Sequence, residues 1–302
     1  MYKEHSITAN SSSFALASKV KDYFQLIKFT LSFMVVFSCV TCYLLAPNVR
    51  FDFLSVLILF IAGMLITGSA NAINQAVEKD TDAVMKRTAN RPVASGRMSE
   101  NEAFTFAIIT GLAGVLIMWQ WFNLTSAFIG LFSLFLYAFI YTPLKKINSI
   151  AVLVGALPGA LPCLIGWVAA TDEFSAGGWI LFGIQFLWQF PHFWAIAWVA
   201  HKDYSKAGFK LLPSERGPTK FTALQTVMYS MLMIPIGMLP FYFGISGIIS
   251  MWIILICNAW MVCVSLILFI KMNVAAARRV MFSSYFYLMI VFLALLFDKV
   301  KI

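Results

Sequence analysis

Apolar runs of about 20 residues recur along the whole of this chain, and each is long enough to cross a bilayer as an α-helix. Of the 302 residues, 61% are hydrophobic and 12% are charged. A soluble domain carries about 25% charged residues. The runs leave no room for a soluble domain beyond the loops, so the sequence predicts an all-α, polytopic membrane protein.

Nine transmembrane helices are predicted from these runs. The break between the third and the fourth rests on Phe122-Asn123 alone, whereas a glycine-containing segment separates the seventh from the eighth. The predicted spans are 29–47, 53–75, 103–122, 124–142, 150–170, 178–200, 222–243, 247–270 and 281–298.

The distribution of basic residues predicts the orientation in the membrane. With the N-terminus in the cytoplasm, 19 of the 22 lysines and arginines fall on the cytoplasmic side, and Arg50, Lys299 and Lys301 fall on the other. Such a bias is typical of proteins oriented by positive inner loops. It accounts for the net charge of +9 without nucleic acid. We therefore expect a multi-pass protein of the cell inner membrane, with its C-terminus on the opposite side.

A column of oxygen ligands is predicted where the second span ends. Asn74, Glu78 and Asp82 stand at four-residue steps, which share one face of a helix. Arg87 and Arg91 follow shortly after. Carboxylates beside guanidinium groups suit a magnesium-bound phosphate, and at a membrane surface we expect the phosphate of a lipid. The alternative is a solvated helix end with mixed charges.

Other loops on the same side carry fewer candidates. Asp203, in the loop after the sixth span, is weak evidence of a metal site unless the bundle brings that loop against the first. Tyr141 and Lys145 follow the fourth span, and Lys28 lies at the inner end of the first. These residues add donors and cations to the predicted phosphate site.

Two spans contain residues that are unusual inside a transmembrane helix. Pro158 and Pro162, among glycines of the fifth span, indicate tight helix packing or a helix broken around a cavity, and the two are compatible. Gln189, Pro191 and His192 interrupt the apolar sixth span. Polar residues at this depth normally face the bundle interior. The aromatic residues around them are also compatible with an interfacial belt.

These groups together suit ionisation of an allylic diphosphate. Magnesium and cations neutralise the charge that grows as the C–O bond breaks. The carbocation needs a dry pocket with aromatic faces, and 16% of the residues are aromatic. Rival classes are a transporter without chemistry and a structural subunit of a respiratory complex. The clustering of charge at one face favours an enzyme.

The motif Asn-x3-Glu-x3-Asp resembles the first aspartate-rich motif of the UbiA superfamily of intramembrane prenyltransferases. The resemblance spans nearly the whole chain, and within the superfamily it is closer to the protoheme IX farnesyltransferases. Glu78 stands where that family commonly has Asp, which lengthens the reach by one methylene and keeps the charge. The segments that carry the resemblance are EKDTDAVMKRTANRPVASGR (78–97), YTPLKKINSIAVLVGALPGALPCLIGW (141–167) and WQFPHFWAIAWVAHKDYSKAGFKLLP (188–213).

The resemblance implies a cytoplasmic N-terminal segment over 1–28 and one nine-helix domain over 29–298, with a central cavity capped by cytoplasmic loops. It implies Mg²⁺ as cofactor, farnesyl diphosphate as donor and heme B as acceptor, with heme O as product. A quinone precursor is the rival acceptor. A heme A synthase or a terminal oxidase would be the downstream partner.

The resemblance also implies roles for single residues. Catalysis and metal binding would fall to Asn74, Glu78, Asp82 and Asp203, with Tyr141 facing the cation or the phosphate. Heme iron would be bound or oriented by His192 or by His201, because neutral imidazole is a common axial ligand; the alternative for each is a hydrogen-bonded structural histidine. The diphosphate would be bound by Lys28, Arg87, Arg91 and Lys145.

Overall fold

The chain is built from α-helices throughout its described part. A computed structural model describes residues 18–214 and 217–300, so the first 17 residues of the predicted N-terminal segment lie outside the described residues. Within the described ranges the only strand-like pairing is an isolated bridge between Ser246 and Lys299. The all-α prediction is confirmed.

Thirteen helices are described, with a π-helical segment over Leu136–Tyr141 between the sixth and the seventh. They are α1 (Ser18–Leu26), α2 (Phe29–Leu45), α3 (Phe53–Val77), α4 (Lys79–Val84), α5 (Glu100–Trp121), α6 (Leu124–Phe135), α7 (Thr142–Leu144), α8 (Ala151–Thr171), α9 (Ala176–Val199), α10 (His201–Lys206), α11 (Lys220–Tyr242), α12 (Ile248–Lys271) and α13 (Val274–Phe297).

The described ranges contain eight helices that are long and apolar enough to span a membrane, and α1 with α2 forms a ninth span bent by 50°. The predicted break at Asn123 is confirmed, because its Oδ1 accepts from the Ser126 N–H at 2.7 Å and starts α6. The predicted start of the last span at residue 281 is wrong. Asn273 caps that helix earlier in the chain, since its Oδ1 accepts from the Ala276 N–H at 2.9 Å, and the helix begins at Val274.

Side chains of α3 hold the bend between α1 and α2. Gln75 Nε2 donates to the Gln25 carbonyl at 2.9 Å, and Asn71 Nδ2 donates to the Ile27 carbonyl at 3.2 Å. These bonds satisfy carbonyls that a continuous helix would have used itself. Lys28, in the bend, adopts a left-handed conformation with φ 47°. The bend thus fixes Lys28 beside the last turns of α3.

The interior of the bundle is occupied by α8 and α9, the most buried of the spanning helices in the described part. α8 is continuous despite Pro158 and Pro162, so the expected break is wrong, while both prolines line the central cavity that this prediction included. Pro162 has no N–H and cannot form the backbone hydrogen bond to the Pro158 carbonyl. Ser133 Oγ donates to that carbonyl instead, at 3.2 Å. Gly166 allows α8 to pack closely against α2, because a Cβ at this position would overlap the Cys39 carbonyl.

The two ends of the bundle differ in chemistry. At one end the loops after α4, α7 and α9 meet, since the Lys210 N–H donates to the Lys145 carbonyl at 2.7 Å and Arg87 contacts Tyr204. At the other end, Lys299 Nζ donates to the Leu44 carbonyl at 2.7 Å. The charged loops predicted to share one side therefore form one polar face.

Candidate functional site

The end of α3 carries three oxygen-bearing side chains in a buried column. Glu78 lies at the break between α3 and α4, yet backbone bonds from Glu78 N to Asn74 O (3.0 Å) and from Asp82 N to Glu78 O (2.7 Å) keep the four-residue register. Asn74 Nδ2 donates to Glu78 Oε2 at 2.8 Å. Asn74, Glu78 and Asp82 are only 1%, 4% and 1% exposed. Asp80, on the same short segment, is exposed and lies outside the column.

Each member of the column contacts one cation. Three basic side chains face two carboxylates, a set of donors that favours an anionic ligand, and burial together with Arg91 and Lys145 lowers the pKa of Lys28. The cations come from the α1–α2 bend, the loop after α4 and the loop after α7. The contacts are Lys28 Nζ to Asn74 Oδ1 at 2.8 Å, Lys145 Nζ to Glu78 Oε1 at 2.6 Å, and Arg91 Nη1 to Asp82 Oδ2 at 2.7 Å.

Aromatic rings surround Lys145. Its Nζ lies 4.9 Å from the ring centre of Tyr141 and 5.3 Å from that of Phe209. Burial lowers the pKa of Lys145, while the adjoining Glu78 carboxylate acts to raise it. Gly155 of α8 leaves room for the Tyr141 ring, because a Cβ there would lie 2.5 Å from it. Tyr141 therefore separates the ion cluster from the interior.

A second group of contacts lies at the same polar face. Arg87 Nη2 donates to Tyr204 Oη at 2.8 Å, and its guanidinium lies 5.2 Å from the Tyr204 ring centre. Burial opposes the charged form of Arg87, but Tyr204, Asp203 and Asp82 together raise its pKa. Asp203 thus comes near the first loop through Arg87, and it has no ion pair with the cations of the column among the described contacts.

The column suits a hard divalent cation. Two carboxylates and an amide oxygen are the donor types that Mg²⁺ accepts, with phosphate oxygens and water completing its six ligands. All three oxygens are buried beside cations that a bound phosphate would also contact. In residues 18–214 and 217–300, no three His, Cys, Asp or Glu side chains lie close enough to share one ion. A metal here would therefore depend on the anionic ligand for part of its coordination.

An apolar cavity of about 230 Å³ opens behind Tyr141. Its lining includes Tyr137 near the ion cluster and Cys39, Leu59 and Met118 farther in. Cys39 lies 11 residues beyond Lys28 along α2, which corresponds to about 16 Å at the α-helical rise. The cavity is thus a deep, mostly apolar space, and its lining residue Tyr141 contacts Lys145 of the ion cluster.

The two candidate histidines occupy different places. His192 lines the central cavity and is 7% exposed. His201 lines a separate pocket of about 190 Å³ under residues 197–214, together with Tyr204 and Phe209. The structure therefore does not bring the histidines together, and of the two only His192 faces the space behind Tyr141.

Sequence analysis missed three residues of this region. Tyr137 stacks beside Tyr141 with ring centres 5.4 Å apart, and their four-residue spacing on one helix face was the signal that could have found it. Phe209 reaches Lys145 from another loop, and Ser284 contacts His192 from α13. Phe209 lies within the quoted segment 188–213 but was not singled out there, and Ser284 lies outside every quoted segment, so their contacts are identified by the tertiary structure.

Comparison with known sequences gives a consistent result. A sequence model of the UbiA prenyltransferase family matches residues 35–295. A protoheme IX farnesyltransferase from Cytophaga hutchinsonii is 44% identical over 285 residues, covering 94% of this chain and 100% of the relative. One from Flavobacterium psychrophilum is 40% identical and covers 94% of this chain and 96% of the relative.

Solved structures share the fold at lower sequence identity. A structure of digeranylgeranylglyceryl phosphate synthase superposes with a TM-score of 0.78 at 22% identity, covering 94% of this chain and 100% of the other. A UbiA homologue from Archaeoglobus fulgidus bound to GPP and Mg²⁺ gives a TM-score of 0.66 at 15% identity, covering 91% and 99%. At these identities the structures establish the architecture alone.

Proposed function

Because this chain belongs to the UbiA prenyltransferase family, which includes the protoheme IX farnesyltransferases, we propose that it transfers the farnesyl group of farnesyl diphosphate to a vinyl group of heme B, giving heme O. The observation that carries the proposal is the buried Asn74–Glu78–Asp82 column with three cations, one of which, Lys145, contacts the cavity-lining ring of Tyr141. Relatives of that name, 40–44% identical over nearly the whole chain, support the choice of substrates.

The ion cluster around Asn74, Glu78 and Asp82 binds the diphosphate in this proposal. Lys28, Arg91 and Lys145 turn from their protein partners toward phosphate oxygens, and Arg87 closes over them from the loop side. Asn74, Glu78 and Asp82 hold Mg²⁺, which when bound neutralises charge on the departing diphosphate. Asp203 favours the charged form of Arg87 electrostatically. That a UbiA homologue of the same fold from Archaeoglobus fulgidus binds GPP with Mg²⁺ supports the choice of a magnesium-bound prenyl diphosphate as ligand.

The cavity holds the farnesyl chain and controls the cation. The C–O bond breaks with its electron pair leaving on the diphosphate, and the faces of Tyr137 and Tyr141 stabilise the positive charge left on the allylic carbon. The vinyl π-electrons of heme B form the new C–C bond. Water then adds to the resulting cation beside the porphyrin and loses a proton, which leaves the hydroxyl group of the product. The apolar lining excludes water until that last step.

The proposed placement in the membrane follows the positive-inside bias. The polar face carrying the column lies in the cytoplasm, and the chain spans the cell inner membrane with its N-terminus on the cytoplasmic side. Lys299 and the Ser246 bridge lie on the opposite side with the C-terminus. Farnesyl diphosphate reaches the ion cluster from the cytoplasm, and its apolar chain enters the bundle.

An acceptor assay tests the proposed function. Membranes containing the protein are incubated with farnesyl diphosphate, Mg²⁺ and either heme B or 4-hydroxybenzoate, and products are separated by chromatography with detection of pyrophosphate. We expect heme O from heme B, no prenylated benzoate, and loss of both signals with EDTA. A product from the benzoate alone would assign the protein to quinone synthesis. No pyrophosphate release with either acceptor would favour the transporter alternative.

Removing the Tyr204 hydroxyl tests the contact between the two loops. We expect Tyr204→Phe to raise KM for farnesyl diphosphate about fivefold, since a partly exposed hydrogen bond to a charged group contributes about 1 kcal/mol. The ring and its contact with Arg87 remain, so kcat should change little. Tyr242→Phe, at an exposed position on the far end of α11, is the matched control. Equal KM values for Tyr204→Phe and Tyr242→Phe would contradict the placement of Arg87 in the diphosphate site.

A further inference from the structure

We propose that Ser284 holds the His192 ring in one tautomer, with the Nε2 lone pair presented to the cavity as an axial ligand of the heme iron. The proposal rests on the proposed function, since it takes heme B as the substrate that enters the cavity. It assigns a ligand to His192 rather than His201, and it gives Ser284 a positioning role.

The hydrogen bonds of Ser284 determine which ring nitrogen of His192 carries the proton. Ser284 Oγ lies 2.6 Å from the Met281 carbonyl, which can only accept, so the single hydroxyl proton is committed to that bond. His192 Nδ1 lies 2.7 Å from the same Oγ. The oxygen must therefore accept there, and Nδ1 must donate. In a neutral ring with Nδ1 protonated, Nε2 bears the lone pair.

Neighbouring rings fix the orientation of His192. Trp188 stacks on it with ring centres 4.7 Å apart and planes 17° apart, and Tyr285 meets it edge-on at 4.9 Å. Trp188 Nε1 also donates to the backbone carbonyl of Ser284 at 2.7 Å. Two hydrogen bonds, one from Trp188 and one from His192, therefore join α9 to Ser284 of α13. A ring held in this way cannot exchange its two nitrogens without breaking these contacts.

The surroundings of His192 suit an apolar ligand. His192 lines the central cavity, and no hydrogen bond involving Nε2 is found among the described residues. An unprotonated imidazole nitrogen in apolar surroundings is a strong ligand for heme iron, and a hydrogen bond at the other nitrogen both orients the ring and raises its basicity. The lining also includes Phe193 and Leu288, which offer contacts to a porphyrin face.

His201 lacks these features. Both of its ring nitrogens lie within 3.4 Å of Ser205 Oγ on the exposed α10, so neither tautomer is selected. Its pocket is separate from the central cavity, and Tyr141, which faces the proposed allylic cation, does not line that pocket. A heme bound through His201 would therefore lie outside the space in which the farnesyl chain is proposed to react.

Heme titration of the purified full-length protein tests the proposal without turnover. Ferric heme B is added in detergent, and the Soret and visible bands report histidine ligation and the dissociation constant. We expect His192→Ala to lose the histidine-ligated spectrum, with partial recovery on adding imidazole. Ser284→Ala should weaken heme binding about tenfold, as for other partners of metal-bound histidines. Ser284→Thr, which keeps a hydroxyl, should restore most of that loss.

Two variants serve as controls for local disruption. Ser283→Ala removes a hydroxyl one position away, which contacts Trp260 on the outer surface, and should leave heme binding unchanged. His201→Ala should also keep the wild-type spectrum. Loss of the spectrum in His201→Ala with retention in His192→Ala would overturn the assignment. Equal binding by Ser284→Ala and wild type would overturn the positioning role even if His192→Ala does not fold.

Failure of this inference can be told apart from failure of the proposed function. If the wild-type protein makes heme O but His192→Ala keeps the histidine-ligated spectrum, the ligand assignment is wrong and the function stands. A His192→Ala variant that binds heme normally and loses turnover would give His192 a role in proton transfer instead, which also overturns the assignment. If wild type neither binds nor converts heme B, both proposals fail.

Discussion

The double variant Glu78→Gln, Asp82→Asn will lower kcat for farnesyl transfer by about a thousandfold or more, because stabilisation of the departing diphosphate is lost. Both substitutions keep the size of the side chain and remove its charge. Lys145 and Arg91 stay beside the diphosphate and lose their competing carboxylates. We therefore expect KM for farnesyl diphosphate to stay constant or fall while kcat collapses. Steady-state kinetics across a magnesium titration measures both parameters.

The matched control for this prediction is Asp80→Asn. Asp80 lies on the same short helix as Asp82 but is exposed, so its variant should keep wild-type kcat and magnesium dependence. Size-exclusion profiles and thermal melts establish that the double variant is folded. Turnover by a folded double variant within tenfold of wild type would contradict the metal-binding role of the column.

Gly166→Ala will destabilise the bundle more than most other single-methyl additions. A Cβ at Gly166 of α8 would overlap the backbone carbonyl of Cys39 in α2, and a backbone atom cannot move aside as a flexible side chain can. Overpacking typically costs about 1–3 kcal/mol, and we expect the upper end or more at this contact. The melting temperature of the purified protein in detergent, with the yield of monodisperse material, measures the effect.

Gly183→Ala provides the comparison for this stability prediction. The nearest atom to a Cβ at Gly183 of α9 is in the Ile236 side chain at 3.7 Å, which is ordinary van der Waals contact. The substitution also favours the helix, because alanine has the higher helix propensity. We expect a melting temperature equal to or slightly above that of wild type. If both variants melt together, close backbone contact between α2 and α8 does not limit stability.

The spans and the oxygen column could be predicted from the sequence because both depend on local spacing. Hydropathy over about 20 residues identified each membrane helix, and the four-residue period aligned Asn74, Glu78 and Asp82. Two helix starts depend on an N-terminal asparagine cap, and only one of them was predicted correctly. The Asn123 break was recognised, whereas the Asn273 cap was missed, since basic residues in the first turns of α13 suggested a loop.

Contacts between distant segments could not be predicted in this way. Lys28 was identified only as another cation, and its bond to Asn74 depends on a bend that Asn71 and Gln75 hold. Asp203 was expected to join the metal ligands if its loop met the first loop, and in the structure its charge acts on Arg87 of that loop.

The sequence by itself determined that this protein is a bundle of membrane-spanning helices with oxygen ligands and cations on one face, since hydropathy and helical periodicity act over a few turns. Only the tertiary structure decided which cation binds which oxygen, that His192 and not His201 faces the cavity, and that Ser284 of α13 contacts the His192 ring. Those pairings join segments up to 92 residues apart, and the packing of the helices alone sets their distances.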